Sequence, residues 1–120
     1  MQAIIPAGGW GTRMMPFSAI TAKELAPIGT KPAIQWTLEE AAANGISSVI
    51  VVSNRAKTNL TDFLTGDFPE DFQEKPGVRE WLEFRDRMDI TVTFQEEMKG
   101  LGDAFLCGYK VAKDDEFYLM

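Results

Sequence analysis

Val49, Ile50, Val51 and Val52 form an unbroken branched apolar run inside SSVIVVS, with no polar residue between them. Successive side chains of a strand point to opposite faces, so this run is apolar on both and needs cover on both. A parallel strand between two helical layers provides that cover, whereas a one-sided antiparallel sheet does not. The flanking segments supply helices. KPAIQWTLEEAAANG carries Ile34, Leu38 and Ala41 or Ala42 at helical spacing. Pro32 suits its first helical position, and Asn44-Gly45 suits a left-handed stop. RAKTNLTDFL places Leu60, Phe63 and Leu64 on one face; VREWLEFRDRM does the same with Trp81, Leu82 and Arg85 or Met88. GDAFLCGYKVA reads as a further helix, against which Gly108 counts.

QAIIP, ITVTF and EFYLM read as strands, and TGDFPEDFQEKPG as a loop. Residues 17–30 read as irregular, with turn signals at Pro27 and Gly29. Strands alternating with helices predict an α/β fold, a Rossmann-like three-layer sandwich with a mainly parallel sheet. No repeat, low-complexity tract or linker divides the 120 residues, which suit one domain. Trp36, Phe63, Trp81 and Phe84 are expected in the core, and Met14-Met15 beneath the segment that follows the first strand. Glu39-Glu40 is expected on a solvated face, and Asp114, Asp115 and Glu116 in a polar turn.

Composition removes whole classes of chemistry. The chain has no histidine, so Ser-His-Asp and Cys-His mechanisms are excluded and the usual imidazole metal ligands are missing. Cys107 is the only cysteine, which rules out an intrachain disulfide and a cysteine-based zinc site. A metal would have to be a hard cation held by carboxylates. The net charge of −6 argues against general affinity for nucleic acid or an anionic membrane. No signal-peptide pattern opens the sequence and no run is long enough to span a bilayer, so the expected location is the reducing cytoplasm.

AGGWGTRMMP follows the first strand signal directly. Gly8, Gly9 and Gly11 let a ligand approach the backbone without Cβ interference, and successive N–H groups can face an anion. Thr12 adds a hydroxyl and Arg13 a planar cation suited to phosphate. In a parallel sheet, ligands bind beyond the carboxyl ends of the strands, where this segment falls. A diphosphate or triphosphate cradle fits; a tight turn whose glycines only satisfy geometry is the alternative. The Gly-Lys-Ser/Thr ending of the Walker loop is missing. The dinucleotide fingerprint also fails, because counting from Gly9 the sixth position is Met14. A nicotinamide-dependent dehydrogenase therefore lacks support.

Lys23 stands ten residues after Arg13. The run GGWGTRMMP…AKELAPIGTKPAIQ…EEAAANGI, with the later FQEEMKGLGDAFLCG, resembles the N-terminal part of sugar-nucleotide pyrophosphorylases. Within that family it is most similar to the bacterial uridylyltransferases that join UTP to glucose 1-phosphate. The resemblance covers the whole chain and implies the nucleotide-diphospho-sugar transferase version of the fold. It implies that Ala7, Gly8 and Gly11 line the nucleotide, that Thr12 and Arg13 meet the β- and γ-phosphates, and that Lys23 contacts the reacting phosphates. Glu24 would approach the nucleoside, Gln95 would read the pyrimidine edge, and the backbone of Gly100 would complete that readout. Arg13 and Lys23 are the catalytic candidates; each also fits as a solvated surface cation, and Gln95 as a polar strand end. The chemistry needs no general base, because a phosphate oxygen of the sugar phosphate is the nucleophile.

The resemblance also implies a magnesium ion, whose aspartate ligands would lie beyond Met120. Residues 1–120 are therefore expected to be the nucleotide-binding part of a longer transferase domain, incomplete at its C-terminus and inactive alone. The partners implied are UTP and glucose 1-phosphate, with a second copy or a full-length subunit able to cover the last strand. A non-catalytic nucleotide-binding module and a glucose-1-phosphate thymidylyltransferase are the alternatives. Departures from the family pattern are Ala22 for proline, Ala26 for leucine, Ser18 for threonine, Ala19 for lysine and Asp103 for histidine.

Overall fold

The computed structural model describes residues 2–113 and 117–120. Asp114, Asp115 and Glu116, expected in a polar turn, lie outside the described residues. Four parallel strands form the main sheet: β1 (Gln2–Pro6), β4 (Ser48–Ser53), β5 (Asp89–Phe94) and β6 (Phe117–Leu119), in the order β5-β4-β1-β6. β1 sits between β4 and β6, with Ile4 opposite both Ile50 and Leu119. The strand order reverses at β1, which makes its carboxyl end a topological switch point.

The apolar run of β4 divides as its two-residue period requires. Val49 and Val51 join Ala3 and Ile5 on one face, under α2 (Ala33–Ala43), α3 (Thr58–Thr65) and α4 (Pro76–Arg87). Ile50 and Val52 join Ile4 on the other, under α5 (Leu101–Tyr109). The result is the three-layer α/β sandwich expected from the sequence. Ile34, Leu38 and Ala41 form the buried stripe of α2, and Leu60 and Leu64 that of α3. Trp81 of α4 stacks on Phe63 at 4.3 Å between ring centroids and donates its indole N–H to the Phe63 carbonyl at 3.0 Å.

Several local expectations are corrected. Residues 17–30 are not irregular. They hold a short helix α1 (Phe17–Ile20), a 3₁₀ turn (Lys23–Leu25) and the strand β2 (Pro27–Ile28), which turns through Gly29 into β3 (Lys31–Pro32). Gly29 has φ +68°, the left-handed geometry such a two-residue turn favours. Pro32 is the residue before α2, with an extended ψ of 148°, and so caps the helix instead of opening it. α4 starts at Pro76, two residues earlier than the apolar pattern suggested, and a 3₁₀ turn at Glu70–Phe72 interrupts the preceding loop. Trp36 is 44% exposed, because its indole N–H reaches the Ile28 carbonyl at 2.8 Å and Lys31 covers the ring at 4.6 Å. Lys31 also pairs with Glu39 at 2.9 Å, so Glu39 is partly shielded where only solvation was expected. Met14 and Met15 are exposed and do not pack under the glycine segment.

Gly108 weakened the helix reading, yet the helix forms, and packing explains the residue. A Cβ on Gly108 would stand 2.6 Å from Ile4 Cγ2, a methyl fixed at a branched Cβ in a fully buried side chain. The missing side chain lets α5 lie directly on β1. Gly108→Ala should therefore destabilise the protein by about 1–2 kcal/mol, because overpacking outweighs the better helix propensity. Urea unfolding of the two proteins measures the difference.

Candidate nucleotide site

Three strands deliver the site at their carboxyl ends. The backbone N–H of Ala7 donates to the Val52 carbonyl at 2.7 Å, and that of Gln95 to the Ser53 carbonyl at 2.8 Å. The ends of β1, β4 and β5 thus stay in register past the last ladder residues. The glycine segment leaves β1 here. A Cβ on Gly8 would meet Met98 Cε at 3.2 Å, Gln95 Oε1 at 3.3 Å and the Ser53 carbonyl at 3.4 Å. Gly8 is therefore the point where the loop passes closely against Gln95, with little room for a side chain.

Gly11 has φ +65° and starts a 3₁₀ turn over Thr12–Met14. Its carbonyl accepts hydrogen bonds from the Ser18 hydroxyl and from the Met14 N–H. The stem of Lys23 lies against it: Cδ would be 3.0 Å from a Cβ on Gly11. Lys23 Nζ stands 3.7 Å from where a Cβ on Gly9 would be. The structure thus brings Gly8, Gly9, Gly11 and Lys23 together, with Thr12 and Arg13 exposed on the adjoining turn. Among the described residues no carboxylate pairs with Arg13.

Gln95 is 3% exposed, and its Nε2 donates to Asp103 Oδ2 at 2.9 Å and to the Gly100 carbonyl at 3.3 Å. Gly100 has φ +98° and precedes α5, so it turns the chain back toward Gln95 in a conformation that suits glycine. Gln95 and Gly100, paired in the sequence reading, are in contact.

Two residues that sequence reasoning missed form the rear wall. Asn54, directly after β4, donates from Nδ2 to the Gly8 carbonyl at 2.6 Å and accepts from the Ala56 N–H at its Oδ1. Lys57 is 6% exposed. Its ammonium donates to the Ala7 carbonyl at 2.7 Å and pairs with Glu24 Oε1 at 2.9 Å. Glu24, beside Lys23 in the chain, is thereby held in the wall by a side chain fifty residues from Ala7. A lysine opening an amphipathic helix carries no sign of burial in the sequence. An asparagine after a strand reads as a turn residue.

The fold and this loop define an α/β domain with a glycine-rich loop at a strand switch point. The chain belongs to the nucleotidyl transferase family, whose pattern matches residues 2–120. It is 34% identical over 124 residues to a UTP–glucose-1-phosphate uridylyltransferase (YngB) of Bacillus subtilis, and 35% identical over 123 residues to one of Streptococcus pyogenes. Each alignment covers 99% of this chain but 42% and 40% of the relative, so the chain spans about two-fifths of their length. Among solved structures it resembles a UDP-glucose pyrophosphorylase complexed with UDP-glucose, with TM-score 0.83 and 29% identity. That match covers 99% of this chain and 44% of the other. A UTP-bound enzyme from Acinetobacter baumannii matches with TM-score 0.82 and 26% identity, over 99% and 44% of the two chains.

Lys57→Met should leave Glu24 buried without its counter-charge and cost about 3 kcal/mol of folding stability. Adding Glu24→Gln should recover part of that loss, since the orphaned charge goes with it. Denaturant unfolding of the single and double variants tests the coupling.

Proposed function

We propose that this chain forms the nucleotide-binding portion of a uridylyltransferase that makes UDP-glucose and pyrophosphate from UTP and glucose 1-phosphate. The observation that carries the reading is the convergence of the Gly8–Arg13 loop, Lys23 and the Gln95–Gly100 pair at one sheet end. The relatives named above for this activity support it.

In this reading Ala7, Gly8 and Gly11 line the nucleotide, and the loop amides with Thr12 and Arg13 hold the β- and γ-phosphates. Lys23 Nζ, directly over the loop, neutralises charge on the phosphoryl group in transfer. An oxygen of glucose 1-phosphate attacks the α-phosphorus of UTP. The bond from that phosphorus to the β-phosphate bridging oxygen breaks, and pyrophosphate leaves with the electron pair. No proton has to be removed from the attacking oxygen, so positioning and charge neutralisation suffice. Gln95 and the backbone at Gly100 contact the pyrimidine. Glu24, held by Lys57, shapes the nucleoside side of the wall.

Magnesium belongs to this reading as a cofactor, but no group of three carboxylate, thiol or imidazole side chains converges among the described residues. The residues present do not by themselves fit a metal centre. β6 runs parallel to β1 with Leu119 opposite Ile4, and the Met120 N–H donates to the Ile4 carbonyl. Turnover is accordingly proposed for a longer or complemented form. No helix among the described residues is long and apolar enough to cross a membrane.

UTP should raise the unfolding midpoint of the chain, while ATP and GTP should not, because a ligand specific for the folded state stabilises it by mass action. Arg13→Ala should weaken UTP binding roughly tenfold or more, the loss expected for a charge-assisted phosphate contact. Calorimetric titration measures it. A chain stabilised by no nucleotide, or equal binding by the variant, would count against the reading; dTTP binding far tighter than UTP would favour the thymidylyl alternative.

A further inference from the structure

We infer that Asp103 sets the base selectivity of the site by fixing which end of the Gln95 amide faces the nucleotide. The inference rests on the uridylyl reading above and deepens it. Gln95 Nε2 is held by Asp103 Oδ2 at 2.9 Å and by the Gly100 carbonyl at 3.3 Å. Carboxylate and carbonyl oxygens only accept hydrogen bonds. The NH₂ end of the amide is thus the end that can face this pair, because the opposite orientation sets Oε1 against two oxygens. Oε1 is thereby turned toward Gly8, where it stands 3.3 Å from the position of a Cβ.

An amide nitrogen carries two hydrogens, and here two acceptors of the chain take them. What Gln95 offers a base is therefore an acceptor alone. Uracil and thymine can turn N3–H to it. Cytosine has a bare N3 at the same position, and two facing lone pairs in a site where Gln95 is 3% exposed are unfavourable. Asp103 touches no base in this arrangement and is a positioning residue. It stands in the first turn of α5, a helix placed on β1 by the close approach of Gly108 to Ile4. The shorter, better contact to Gln95 is the Asp103 bond, so its removal frees the amide to turn over.

The test titrates the chain and its Asp103→Ala and Asp103→Leu variants, which leave no acceptor for Gln95 Nε2 at position 103, with UTP, dTTP and CTP by calorimetry. The unfolding midpoint of each protein reports that it is folded. Ratios of dissociation constants are the readout, because the lost charge shifts all three nucleotides together. The unsubstituted chain should prefer UTP to CTP. Either variant should narrow that preference roughly tenfold, the scale of one mismatched buried hydrogen bond. The UTP-to-dTTP ratio should not move, since the two bases share the N3–H edge. A helix-terminus role for Asp103 would change the unfolding midpoint and leave the base ratio alone. An unchanged CTP-to-UTP ratio with UTP binding intact overturns the inference, as does an unsubstituted chain that binds both equally. An unsubstituted chain that binds no UTP overturns the functional reading itself, and this inference with it.

Discussion

Strand β1 is bonded to parallel neighbours on both edges and packed on both faces, and the rest of the molecule is arranged around that condition. Gln2, Ala3, Ile4 and Ile5 are all buried. Ile4 leaves so little space above it that α5 must present a glycine there. At its carboxyl end the same strand has no ladder left to occupy its polar groups. The Ala7 carbonyl takes the Lys57 ammonium and the Gly8 carbonyl takes the Asn54 amide, so both carbonyls leaving the sheet have side-chain partners.

The candidate site inherits its form from that solution. Lys57 is neutralised by Glu24 inside the wall, whereas Lys23 lies against the glycine loop and Arg13 is exposed on the adjoining turn. In the proposed reading, a chain of net charge −6 holds a polyanion locally while repelling one elsewhere. The same economy operates at Gln95. Asp103 and Gly100 consume its donors, and the acceptor that remains faces the glycine whose missing side chain makes room.

Much of the fold was legible because the signals are local. The both-faced apolar run at 49–52, the α2 stripe and the Asn44-Gly45 stop each follow from side-chain periodicity or from one residue's backbone preference. The Pro27–Pro32 hairpin was not, because its strands are two residues long and carry no alternation. Trp36 was misplaced for a related reason. Helical spacing says which way a side chain points, but not that a hairpin supplies a carbonyl for its indole and a lysine for its ring. Met14 and Met15 followed the same failure, since apolar character alone does not create a cavity to fill.

By itself, then, the sequence determined the layered α/β class, the glycine loop after the first strand, and the hydroxyl and cationic side chains that follow it. Those properties depend on residue type and spacing along the chain. Only the tertiary structure decided that Lys57 is buried while Arg13 is exposed, that Glu24 is turned to a lysine, and that Asp103 and Gly100 hold Gln95 in one orientation. Each of those outcomes depends on desolvation and on partners from separate elements. The free energy of a buried charge or amide is set by what surrounds it, and in a parallel sheet those surroundings come from strands and helices distant in sequence.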